Sequence, residues 1–252
     1  MTSDQTKQAG DSLFGHTRCW AATHSGMKRT HNEDALLSRP DLGLWAVADG
    51  AGGHRGGDIA ASTVVAALDA IPPGLTAGEM LAQVRLRLAG SHQLLRQESI
   101  RIGERLVAST VVVLVVREDH FACLWAGDSR AYLLRDGILD QLTVDHSLVQ
   151  DLLGQGAIDP AEAEQHPQAN VITRAIGADG AEPELDKKIG KVIPGDTFLL
   201  CSDGLCKALA QTELVQLLRE NANAERVLSA ALAREATDNV TVLTVLFSRP
   251  CA

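Results

Sequence analysis

Carboxylates stand at the ends of apolar runs in this chain, and that placement constrains its fold more than any other feature. Leu44-Trp45-Ala46-Val47-Ala48 is too short for a helix and suits a buried strand, and it stops at Asp49-Gly50. Phe121 to Ala126 stops at Gly127-Asp128, and Thr197 to Cys201 stops at Ser202-Asp203-Gly204. Asp238-Asn239 precedes the run Val240 to Phe247, and the polar block Arg29-Thr30-His31-Asn32-Glu33-Asp34 precedes Ala35-Leu36-Leu37. Antiparallel strands of similar length in one core can bring such ends to a common edge. Carboxylates gathered there repel one another unless something positive sits among them. Taken singly, each motif also reads as a turn: Asp128 and Asp203 as caps, Asp49 before a glycine-rich bend, Arg29 paired with Glu33 at the surface.

The rest of the chain supplies strands and two helix pairs. Thr17 to Thr23 reads as a strand. Helical spacing runs from Asp58 to Ile71, stopped by Pro72-Pro73-Gly74, and again from Thr76 to Arg101, where Met80, Leu81, Val84, Leu88 and Leu95 share a side. Ser109 to Val116 pairs with Phe121 to Ala126 as a hairpin, and Asp136-Gly137 turns Ala131 to Leu134 into Ile138 to Leu142. The middle of the chain is therefore expected to be an antiparallel meander. Short helical pieces follow at Leu148 to Gly154 and Pro160 to Glu164, and the irregular stretch to Asn170 reads as a surface flap. Val171 to Ile176 and Leu185 to Val192 are predicted strands, and Thr212 to Glu220 and Ala224 to Ala236 are predicted helices. No repeat or linker divides the chain, so one domain over 13–248 is expected behind a mobile tail at 1–12.

Composition removes several function classes. A net charge of −9 without a Lys/Arg cluster argues against nucleic acid as a partner, and 3% aromatics leaves no stacking platform for single strands. No apolar run is long enough to span a bilayer, and the first residues lack a secretion signal, so no membrane contact and a cytoplasmic location are the expectation. The five cysteines are scattered, with Cys123 and Cys201 inside apolar runs, which points to small buried thiols and not to a disulfide framework. An oxygen-only donor set without Cys or His suits hard cations such as Mg²⁺ or Mn²⁺. Two such ions activate a water and clamp a phosphoryl group, and an arginine such as Arg29 presents a fork that matches phosphate oxygens.

In order, Arg29-x-x-Asn32-Glu33-Asp34, Asp49-Gly50-x-Gly52-Gly53, Gly127-Asp128-Ser129-Arg130, Asp145-His146-Ser147, Ser202-Asp203-Gly204 and Asp238-Asn239 resemble the motifs of the metal-dependent protein phosphatases, in their compact bacterial form. The resemblance covers Thr17 to Phe247. It implies an α+β fold, a four-layer αββα sandwich of two antiparallel sheets flanked by helix pairs. It also implies hydrolysis of phosphoserine and phosphothreonine by direct attack of a metal-bridging water, opposing a bacterial Ser/Thr kinase. Carried over to this sequence, Asp49 bridges two Mn²⁺ or Mg²⁺ ions and the Gly50 carbonyl binds one of them. Asp203 and Asp238 hold the second, and Glu33 binds through water. Asp34 orients or deprotonates the nucleophile, Arg29 grips the phosphate, and Asp128 with Asp203 forms a weaker third site. The flap, about 147–170, bears on substrate access. Phosphorylated proteins are the implied partners, among them a Ser/Thr kinase and its forkhead-associated-domain or secretion-system substrates, with a monomer as the default. A degenerate phosphoprotein binder and a two-metal phosphohydrolase of small molecules are the competing readings. Ala51 stands where some relatives carry a proton-donating His, so the leaving-group acid is unassigned. His54 and His146 are read as structural.

Overall fold

The computed structural model describes residues 16–52, 56–103 and 106–248. The expected tail, His54 and Cys251 lie outside them. In chain order the described elements are β1 (His16–His24), β2 (Asp34–Arg39), β3 (Leu44–Ala51), α1 (Gly56–Asp69), α2 (Ala77–Arg101), β4 (Ala108–Ser109), β5 (Val111–Arg117), β6 (His120–Ala126), β7 (Arg130–Arg135), β8 (Ile138–Gln141), α3 (Leu148–Gly154), α4 (Pro160–Glu164), β9 (Asp186–Lys191), β10 (Thr197–Cys201), α5 (Asp203–Ala208), α6 (Gln211–Glu220), α7 (Ala224–Ala233) and β11 (Val240–Ser248).

Two antiparallel sheets result. One runs β1-β11-β10-β7-β8, and the other runs β2-β3-β5-β6-β9 with β4 joined to β3. Period-two alternation in β5 shows why they stack. Val112, Leu114 and Val116 point into a core shared with Phe198, Leu200, Leu243 and Val245 of the facing sheet. Val111, Val113 and Val115 point the other way, onto Ala61, Val64 and Leu68 of α1 and Val84 and Leu88 of α2. A third apolar layer packs Leu199 and Val242 against Leu214, Leu218, Val227 and Ala231 of α6 and α7. The four-layer αββα sandwich is therefore present, with each helix pair on an outer face. Phe198 ties the central layer by edge-on contacts with Phe121 and Phe247, at 5.1 and 5.8 Å between ring centres. Helix α2 starts where the sequence says, because Thr76 and Glu79 form a reciprocal cap.

Three expectations need correction. The middle of the chain is not one meander: the β5–β6 hairpin lies in one sheet and the β7–β8 hairpin in the other, so the chain changes sheets at Gly127-Asp128-Ser129. Val171 to Ile176 is not a strand; Ile172 and Ile176 make only isolated bridges, to Ser147 and Ser109. Asp203, read as a cap, begins a short helix, Asp203 to Ala208, that was not among the expected elements. Among the described residues, Cys19, Cys123, Cys201 and Cys206 are free thiols, the first three buried.

Candidate metal centre

The acidic strand ends meet. Register places Asp34 of β2 directly opposite Asp49 of β3. Side chains of directly opposed residues share a sheet face, so two carboxylates are held side by side, an arrangement that costs stability unless a cation intervenes. Asp203 opens α5 right after β10, and Asp238 stands two residues before β11, so both come from the facing sheet. Asp128 sits at the crossing from β6 to β7. Asp49, Asp128, Asp203 and Asp238, together with Arg29, Glu33, Gly50, Ala51, Gly52, Lys207 and Asn239, line a cleft of about 370 Å³, which Asn170 and Ile172 of the flap side also border, with Asp34 against it opposite Asp49. All eight residues singled out from the sequence, Arg29, Glu33, Asp34, Asp49, Gly50, Asp128, Asp203 and Asp238, are thus at or against this cleft.

Hydrogen bonds fix the ring of acids. Ser202 and Thr241 hydroxyls, both from the facing sheet, each donate to Asp34 Oδ2 at 2.7 Å. The other oxygen, Oδ1, is buried with no hydrogen-bond partner, as is Oδ1 of Asp128. Behind Asp49 the Thr110 hydroxyl accepts from the Asp49 amide at 3.2 Å, and the Ser109 hydroxyl and Thr110 amide donate to its carbonyl. Gly50 and Gly57 are required by close approach. A Cβ on Gly50 would lie 1.9 Å from the Gly57 carbonyl oxygen, and one on Gly57 would meet both the Gly50 carbonyl oxygen and the Glu33 carboxylate. The turn therefore brings a backbone carbonyl and a carboxylate to one spot.

Burial and mutual repulsion act on the acids together. Burial first, then Asp34, Asp203, Asp128 and Asp238, drive Asp49 well above the ordinary carboxylate range. Burial likewise pushes Asp34 up to about 6, with Asp203 and Asp238 adding to it. Asp128 is pushed up to about 7, again by burial first and Asp203 next. Glu33 is raised by burial and by Asp58. Orphaned carboxylate oxygens, opposed like charges and an all-oxygen donor set fit a hard divalent cation.

The Gly127–Arg130 and Asp145–Ser147 motifs turn out to brace this arrangement. Arg130 forks onto Asp145, with Nε and Nη2 donating at 2.9 and 2.6 Å. The Gly127 amide donates to His146 Nδ1 at 3.2 Å, and the His146 ring stacks on Trp125. The other ring nitrogen of His146, Nε2, lies 3.2 Å from Asp186 Oδ2. Two cations sit closer to the acids than the sequence suggested. Arg29 pairs with Asp238, Nε to Oδ1 at 3.0 Å, and not with Glu33. Lys207 reaches Asp203 at 2.5 Å and Asp238 at 3.4 Å. Lys207 escaped the sequence reading; its signal is the four-residue spacing from Asp203, informative only once Asp203 is known to begin a helix.

A family model for protein phosphatase 2C matches residues 23–235. The chain belongs to the protein phosphatase 2C family. Serine/threonine protein phosphatase PstP of Mycobacterium tuberculosis is 34% identical over 227 residues; the match covers 88% of this chain and 43% of PstP, so the chain spans less than half of that relative's length. Serine/threonine phosphatase Stp of Listeria monocytogenes is 33% identical over 235 residues, covering 88% of this chain and 93% of Stp. Among solved structures, PppA of Pseudomonas aeruginosa, described as a key regulatory component of T6SS, superposes with a TM-score of 0.84 at 40% identity over 92% of this chain and 97% of PppA. The PstP catalytic domain in complex with two manganese ions superposes with a TM-score of 0.81 at 31% identity, over 92% of this chain and 98% of that one. The present chain thus carries a protein phosphatase 2C-type domain. Among its described residues no helix is long and apolar enough to cross a membrane.

Within this 2C-type centre Asn239 is a scaffold residue with a large expected effect. Its Oδ1 accepts from the Glu33 amide at 2.8 Å, and its Nδ2 donates to the Ser25 and His31 carbonyls at 2.9 Å. Asn239→Ala leaves those backbone groups without their partner, so it is expected to cost about 2–4 kcal/mol of stability. A lower urea midpoint at unchanged slope checks this; an unchanged midpoint refutes it.

Proposed function

We propose that this chain, as one catalytic domain over about 13–248, hydrolyses phosphoserine and phosphothreonine in proteins with two divalent cations, Mn²⁺ or Mg²⁺. The observation that carries the reading is the Asp34–Asp49 opposition across β2 and β3, with one Asp34 oxygen held and the other unpartnered. Asp49 would serve both ions, with the Gly50 carbonyl holding one of them and Glu33 reaching that one through water. Asp203 and Asp238 would hold the second, and Asp128 with Asp203 a weaker third. When bound, the ions supply Lewis-acid polarisation of the phosphoryl oxygens and a water acidified toward neutrality. Asp34 takes the proton of the attacking water at Oδ1, while Ser202 and Thr241 hold Oδ2 and fix the direction of attack. Arg29, half exposed at the mouth of the cleft, orients the phosphate and neutralises part of its charge. The flap side, through Asn170 and Ile172, limits what enters.

The phosphoprotein substrates would be those of a Ser/Thr kinase in the cytoplasm, including forkhead-associated-domain proteins or secretion-machinery components of the kind PppA's description suggests, and the chain would act as a monomer. The complete acidic set argues against a degenerate phosphoprotein binder. The test is turnover of p-nitrophenyl phosphate and of phosphoserine, phosphothreonine and phosphotyrosine peptides with Mn²⁺, then with excess chelator. Mn²⁺-dependent release from the serine and threonine peptides, lost with chelator, is expected. Turnover that survives the chelator overturns the reading.

A further inference from the structure

We propose that Lys207 is a built-in rival for the divalent cation at the Asp203–Asp238 side of the cleft, so that this position fills at a higher ion concentration than the Asp49 side. The inference rests on the two-cation reading above. Helix α5 begins at Asp203 and carries Lys207 one turn later, with Nζ 2.5 Å from Asp203 Oδ2 and 3.4 Å from Asp238 Oδ2. Arg29 Nε takes the other Asp238 oxygen at 3.0 Å. Asp238 therefore has a protein cation on each oxygen, and Asp203 has one on Oδ2.

The Asp49 side differs. Asp49 stands directly opposite Asp34, and among the described residues no lysine or arginine forms an ion pair with it. A divalent ion entering there meets only attraction from these two carboxylates. An ion entering between Asp203 and Asp238 needs carboxylate oxygens in direct contact, at roughly 2.0–2.1 Å for Mg²⁺. The ammonium occupies the Oδ2 atoms of both residues. The ion must displace it, and then bind beside a tethered positive charge. Displacement is feasible because the Lys207 side chain is 45% exposed and its four-carbon stem is flexible. The opposite role, a clamp that pre-positions Asp203 and Asp238 for the ion, predicts the reverse effect of removing the charge.

Isothermal titration of Mn²⁺ into the whole chain, stripped with chelator, separates these. Two affinity classes are expected for the wild type. In Lys207→Met the weaker class is expected to tighten by about tenfold, with the tighter class within about twofold of wild type, and Lys207→Arg should resemble the wild type. Lys207→Gln should behave like Lys207→Met and serves if the latter does not fold, which circular dichroism reports. A weaker class that is unchanged or loosened in the neutral variants overturns the inference while leaving the two-cation reading intact. Wild-type protein that takes up no Mn²⁺ overturns that reading itself, and the inference with it.

Discussion

Asp49→Asn is expected to lower turnover of phosphothreonine peptides by at least about 10³-fold while making the chelator-treated protein more stable, not less. The two effects share one cause. Asp49 is buried, lies opposite Asp34, and is further disfavoured as an anion by Asp203, Asp128 and Asp238. An amide of the same shape removes the buried charge and offers an N–H₂ donor to the carboxylates around it. The metal-free fold gains from both changes. The holoenzyme loses, because in the proposed centre Asp49 would serve both cations and a neutral amide is a poor substitute for a carboxylate. Stabilisation of phosphoryl-transfer charge by such ions is worth several kcal/mol, and about 1.4 kcal/mol corresponds to tenfold in rate. Single-turnover kinetics in Mn²⁺ and thermal melts in chelator measure the pair. A variant keeping a tenth of wild-type activity removes Asp49 from that role, and a lower melting temperature in chelator removes the electrostatic argument.

The sequence carried the site further than it carried the fold. Short apolar runs that end in a carboxylate mark Asp49, Asp128 and Asp203 individually, and the order of motifs joins them to Glu33, Asp34 and Asp238. Sheet membership is different in kind. The β5 run, Val111 to Arg117, is apolar on both faces, and nothing local says which face meets helices and which meets the second sheet. For the same reason the two central hairpins looked like one meander. Gly127 has a φ of +108° and packs against Thr110, so the chain turns there out of one sheet and into the other, a tertiary event without a composition signal. Val171 to Ile176 failed as a strand because its polar members have other work. Arg174 pairs with Asp186 and Glu184, and only Ile172 and Ile176 bridge to neighbours. Lys207 was hidden because a helix of six residues shows no periodicity. The positioning role of Asn239 was hidden because its three partners lie more than two hundred positions away in the chain.

Stability should depend on pH in opposite senses with and without Mn²⁺. Asp34 is pushed up to about 6 and Asp128 to about 7, in both cases chiefly by burial, and Asp49 is raised as well. A carboxylic acid whose folded-state pKa lies above its unfolded one binds protons more tightly when folded. Its favourable contribution is complete below the unfolded value, near pH 4, and is lost as pH rises through the folded value. Chelator-treated protein is therefore expected to lose stability between about pH 4 and pH 7, with Asp34 alone responsible for on the order of 2–3 kcal/mol. Bound Mn²⁺ reverses the sign, since the ion prefers ionised oxygens and its binding expels the protons that the metal-free fold retains. The increase in melting temperature on adding Mn²⁺ should accordingly be small near pH 5 and largest above about pH 7. Thermal melts across that range, with chelator and with saturating Mn²⁺, give the difference directly. An equal Mn²⁺ effect at pH 5 and pH 8 would mean that the carboxylates of this cleft do not share their protons with the ion, and that the cation binds elsewhere on the chain.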